Sequence, residues 1–162
     1  MGRHLLLETT EEQAKWLLNR ALSAEPRLTH FGIGIPAEGK MRRESPVAAQ
    51  KQFDAARQML AKGLEEIAAS ADWIRRQDLR TRFNAQEHSF GYKSRVEVWF
   101  AERSGANIQV SNGSFIAAAL GLGLDARRVG RGSPNVEFKF SASTLCTPRS
   151  QASPIGCWDL RT

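Results

Sequence analysis

Gly34-Ile35-Pro36-Ala37-Glu38-Gly39-Lys40 has the G-x-x-x-x-G-K spacing of a loop that cradles phosphates with its backbone N–H groups. That chemistry needs Ser or Thr after the lysine to hold Mg²⁺, and Met41 stands there instead. It also needs a helix opening at the lysine, whereas Ser45-Pro46 is the better helix start. The spacing is read as a chance match. Lys40, Arg42 and Arg43 remain as a basic cluster, a solvated loop able to touch phosphate. Glu87 and His88, with Tyr92 four residues beyond the histidine, have the types for acid–base work on one helix face. No nucleophile elbow, metal box or paired-carboxylate motif accompanies them, so no catalytic residue is assigned and no enzyme activity is expected. His4, His30, His88, Cys146 and Cys157 lack the paired spacing of zinc ligands, so no metal and no other cofactor is expected.

What remains is binding chemistry. Arg75-Arg76-Gln77-Asp78-Leu79-Arg80-Thr81-Arg82 sets four arginines against one aspartate. If it continues a short helix capped by Asp72, Arg75, Arg76 and Arg80 cluster on one side while Ile74, Leu79 and Phe83 turn inward. Such a segment contacts a nucleic-acid backbone or forms ordinary surface ion pairs. A second basic group, Arg127, Arg128 and Arg131, lies in a stretch dense in turn residues.

The 162 residues suit one compact domain with appendages, and a 41% hydrophobic content is enough for a core. No apolar run is long enough to span a membrane. Arg3 and His4 precede only three leucines, too few for a secretory signal, so a cytoplasmic protein with reduced cysteines is expected. A net charge of +6 favours acidic partners, nucleic acid or an acidic protein surface, without choosing between them.

The elements that must position these residues read as follows. Leu5-Leu6-Leu7 is strand-like. Thr10 to Gln13 fits a capping box opening a helix that buries Ala14, Leu17, Leu18 and Ala21 and stops before Pro26. Phe31, Ile33 and Ile35 alternate as in a short strand. From Pro46 to about Ser70 a single long helix is expected, with Val47, Phe53, Ala56, Leu60, Leu64 and Ile67 inward. A helix of that length can also pack a second copy, so a homodimer is an open alternative to simple internal packing. Residues 1–85 make an N-terminal segment of this kind, and 141–162 a loose tail carrying Trp158.

Residues 86–140 form the distinctive unit. A helix from Gln86 or Tyr92 to Arg103 presents Tyr92, Val96, Trp99 and Phe100, and Ser104-Gly105 ends it. Ser111 or Asn112 caps a second helix to about Leu122. Ala126 to Val129 and Val136 to Phe140 make a hairpin, the second strand alternating Val136, Phe138 and Phe140 with Glu137 and Lys139. Helix, turn, helix and hairpin in this order resemble winged helix-turn-helix DNA-binding proteins. The resemblance implies an α+β fold, mainly helical, with a C-terminal winged-helix-like unit. It also implies a double-stranded DNA partner, as in a bacterial or mobile-element transcription regulator. The nucleic-acid-binding residues would be Arg75, Arg76, Arg80, Arg82, Lys93, Arg95, Asn112, Ser114, Arg127, Arg128 and Arg131. Asn112 and Ser114 would read base edges and the arginines would hold the backbone. After its first turn the second helix is apolar, however, so a core helix stands as the alternative. A protein-binding module, such as a phage-type inhibitor of a host nucleic-acid machine, stands beside the DNA function.

Overall fold

The structure is a computed structural model that describes residues 7–36 and 38–145. Leu5, Leu6, Cys146, Cys157 and Trp158, and the expectations attached to them, lie outside those residues. Among the described residues the chain is α+β, with helices α1 (Glu11–Ala24), α2 (Glu38–Glu44), α3 (Pro46–Ala61), α4 (Leu64–Ile74), α5 (Ser89–Ser104) and α6 (Asn112–Gly121). Two short antiparallel hairpins accompany them. β1 (Leu28–Thr29) pairs with β2 (Gly32–Ile33), and β3 (Arg127–Arg128) with β4 (Val136–Glu137). No helix of the described residues is long and apolar enough to cross a membrane.

Local sequence signals account for four of the helix ends. The Thr10 hydroxyl accepts the Gln13 N–H while the Gln13 side chain accepts the Thr10 N–H, so two orphan donors of α1 are satisfied at once. Ser45 caps α3 with Pro46 in its first turn, and Ser111 caps α6 through the Ser114 N–H at 3.0 Å. Gly105, at φ 67°, takes the left-handed conformation that closes α5.

Two expected helices are corrected. The long helix from Pro46 breaks at Lys62-Gly63 into α3 and α4. The start of α6 presses on this joint: a Cβ at Gly63 would sit 2.7 Å from the Ser114 hydroxyl. Of the stripe, Ala56, Leu60 and Ile67 are buried, but Val47 is 80% exposed. Nor does the basic run 75–82 continue a helix that Asp72 caps. Asp72 lies inside α4, which ends at Ile74, and residues 78–84 run as an irregular segment beside the C-terminal hairpin, with one bridge from Leu79 to Phe140. There the Arg80 N–H donates to the Lys139 carbonyl at 2.7 Å and the Asn84 N–H to the Phe138 carbonyl at 2.8 Å. Leu79, expected inward, is exposed.

Helix α6 occupies the centre, packed by α1, α4 and α5, with every residue from Asn112 to Ala119 buried. A helix apolar on all sides belongs in a core, and this one is the core helix. Its Phe115 packs with Trp73, Tyr92, Phe138 and Phe140 in one aromatic cluster, ring centroids 4.8 to 6.5 Å apart, at the offset and edge-on geometries that ring quadrupoles prefer. The alternation after Val136 holds: Val136, Phe138 and Phe140 are buried, and Glu137 and Lys139 reach outward.

Candidate nucleic-acid interface

Residues 136–140 are flanked by β3 on one side and by 78–84 on the other, so side chains of three segments meet on the outer face. Phe83 is its centre. The Arg127 guanidinium lies 4.7 Å from the Phe83 ring centroid and the Lys139 ammonium 5.2 Å from it. Both cations also have a carboxylate: Arg127 forks onto Glu137 at 2.9 and 2.5 Å, and Lys139 meets Asp125 at 2.5 Å. Around them stand arginines held by carbonyls alone. Arg80 donates to the Arg82 and Phe83 carbonyls at 3.0 Å each, and Arg128 to the Ser133 carbonyl at 3.1 Å. Arg131 sits exposed in the hairpin turn and Arg82 exposed on the 78–84 segment. Among the described residues, no carboxylate comes within ion-pair distance of Arg80, Arg82, Arg128 or Arg131. Two basic groups far apart in sequence thus share one face. Phe83 and Lys139 were missed by the sequence reading, because only the pairing of 80–84 with 138–139 brings them there.

The remaining candidates are placed elsewhere. Arg75 donates to the Thr9 hydroxyl at 2.6 Å and lies 3.5 Å from the Asp72 carboxylate. Arg76 pairs with Glu8 at 2.8 Å and covers the Trp99 ring. Their charge is spent on the chain itself, because the buried Asp72 also accepts the Glu8 and Thr9 N–H groups at 2.7 and 3.1 Å. Lys93 pairs with Glu97 at 3.3 Å and Arg95 with Glu87 at 3.6 Å, both on half-buried side chains. The expected base-reading pair is corrected. Asn112 and Ser114 are buried at the start of the core helix, so neither can meet a base edge without unpacking α6.

Asn112 has a different task. Its Nδ2 donates to the Phe31 carbonyl at 2.8 Å and to Asn135 Oδ1 at 3.0 Å, tying the tip of the β1–β2 hairpin to the β3–β4 turn. Next to it the Gly113 N–H donates to the His30 carbonyl at 3.0 Å, and a Cβ at Gly113 would fall 1.8 Å from the Thr29 carbonyl oxygen. The glycine is needed for that approach. Above this junction opens a cleft of about 670 Å³, bounded by Phe31, Phe90, Lys93, residues 108–112, Pro134 and Asn135. Its floor is fixed by two carboxylates: Glu97 accepts the Val110 N–H at 2.8 Å and Glu66 the Ser111 N–H at 2.7 Å.

The acid–base grouping does not assemble as a helix face. His88 is the extended residue before α5, and Tyr92 stacks inside the aromatic cluster. Burial pushes the Tyr92 hydroxyl well above the ordinary tyrosine range, with Glu87 adding to the push. No family model, curated protein or solved structure matches the chain.

Proposed function

We propose that this protein binds double-stranded DNA through phosphate contacts from the face around Phe83, with the β3–β4 hairpin in the place of a wing. The observation that carries the reading is the convergence of Arg80, Arg82, Arg128 and Arg131, free of carboxylate partners among the described residues, beside Arg127 and Lys139. Fixed cations of this kind displace the counterions condensed on a duplex. Of the winged-helix outline, this reading draws only on the hairpin. The connection from α5 to α6 runs from 105 to 111, longer than the roughly 3–4-residue turn of a helix-turn-helix, and α6 is interior. Binding is therefore expected to be weakly sequence-selective, since backbone contacts fix register but carry no base information.

Fluorescence anisotropy with a mixed-sequence duplex, a single strand and an RNA hairpin, at about 50 and 200 mM salt, tests this. The duplex is expected to bind, and to release steeply as salt rises. No binding of the duplex at micromolar protein overturns the reading.

A further inference from the structure

The cleft beside the hairpin differs in chemistry from the basic face it adjoins. Phe90 and Phe31 line it and are 55% and 41% exposed, with the Lys93 ammonium 4.8 Å from the Phe90 ring centroid, so a base stacking on Phe90 takes the other face or displaces that ammonium. Asn135 is held by Asn112 through its Oδ1, which leaves its amide N–H groups as donors. Counting Lys93 against Glu66 and Glu97, the lining carries one positive and two negative charges. A phosphate is disfavoured in such a place. A flat, uncharged ring with exocyclic amino groups suits it, because carboxylates accept from base amino groups and side-chain amides pair with base edges. About 670 Å³ lies inside the usual range of ligand pockets, roughly 300–1,000 Å³.

Position supplies the second half of the argument. Pro134 and Asn135 form one wall of the cleft, and they belong to the same turn that carries Arg131 and receives the Arg128 guanidinium at Ser133. The hairpin therefore has phosphate-seeking cations on its outer side and the aromatic cleft at its end. We propose that the cleft receives one unstacked nucleobase, stacked on Phe90, from DNA whose backbone lies on the Phe83 face. The proposal rests on the DNA-binding reading above and specifies which DNA: one with an extrahelical base, as at a bulge, mismatch or frayed end. A base already out of the stack enters at least cost, since the unstacking penalty of a few kcal/mol is avoided.

The test compares a fully paired duplex with the same duplex carrying one bulged cytosine, for the wild-type chain, Phe90→Ala and Phe90→Trp. Wild type is expected to prefer the bulged duplex by between about 5-fold and about 150-fold, the range for one base on one ring. Phe90→Ala should bring that ratio close to one, and Phe90→Trp should keep or raise it; circular dichroism checks that each variant is folded. Equal affinity of wild type for both duplexes, with steep salt dependence, overturns the base-binding cleft and leaves the phosphate reading standing. An unchanged preference in folded Phe90→Ala overturns this cleft as the place the base goes. Failure to bind either duplex overturns both.

Discussion

On the proposed DNA-binding reading, removing the arginines of the Phe83 face that lack a carboxylate partner among the described residues should change the salt dependence by a calculable amount. Arg80, Arg82, Arg128 and Arg131 are the cations of that face without a carboxylate partner among the described residues. Each phosphate they neutralise contributes about 0.9 to the slope of log affinity against log salt. Four contacts predict a slope near −3.6, so affinity falls about 150-fold between roughly 50 and 200 mM salt. In Arg82→Ala/Arg128→Ala/Arg131→Ala one such contact remains, and the same salt step should weaken binding only about 3.5-fold. The substituted side chains are exposed, those of Arg82 and Arg131 make no hydrogen bond among the described residues and that of Arg128 makes one to a carbonyl, so folding should change by about 0.5 kcal/mol or less for each. The assay is anisotropy of a labelled duplex across four or more salt concentrations. Lys51→Ala/Lys62→Ala serves as the control, removing charge from the α3 region rather than from this face. A triple variant with the wild-type slope, or a control that flattens the slope as strongly, refutes the assignment of this face.

Other expectations concern the scaffold. Tyr92→Phe removes a buried hydroxyl with no partner among the described residues and should raise stability by about 1 kcal/mol in urea unfolding. Because the folded state holds the Tyr92 proton more tightly than the unfolded chain, its contribution is complete below the ordinary value of 10.0 and shrinks as pH rises above it. The wild type should therefore lose more stability above about pH 10 than Tyr92→Phe does, and parallel pH curves would contradict this. Asp72→Ala strips acceptors from Glu8, Thr9 and Arg75 at once, and a loss of about 3 kcal/mol is expected by thermal or chemical denaturation. Gly113→Ala forces a methyl group onto the Thr29 carbonyl and should cost about 3 kcal/mol; a cost under 1 kcal/mol would mean that α6 and the first hairpin are not packed as described.

The features legible in the sequence were those whose cause lies within a few residues. Thr10 with Gln13, Ser45 with Pro46, Ser111, and Gly105 each satisfy backbone groups of their own helix, so the side chain and its effect are neighbours in sequence. Asp72 shows the contrary case. Its type and position suit a helix cap, yet its carboxylate serves the N–H groups of Glu8 and Thr9, more than sixty residues away. The break at Gly63 was equally hidden, since its neighbour is Ser114 from the core helix. The apolar character of α6 was visible throughout, and an all-round apolar helix is an interior one. The core-helix alternative read from that signal holds, and the base-reading role that the helix-turn-helix resemblance implied for Asn112 and Ser114 does not.

The arginines carry the same lesson into function. Arg75 and Arg76 stand four or five residues before Arg80, in one run of uniform appearance, and nothing local separates them. Tertiary structure does. Glu8, Thr9 and Asp72 close around the first pair, and the charge that remains there is balanced within the chain. The backbone pairing with residues 138–140 carries Arg80 and Arg82 away from α4 and beside a hairpin that brings two further arginines from nearly fifty residues later. A formal net charge of +6 says nothing about this partition. What makes a cation available to a phosphate is the absence of a nearer anion, and here that is decided by the backbone contacts between 79–84 and 138–140 and by the β3–β4 hairpin. Substituting Arg75 or Arg76 should accordingly lower stability before it touches DNA affinity, and substituting Arg128 or Arg131 should do the reverse.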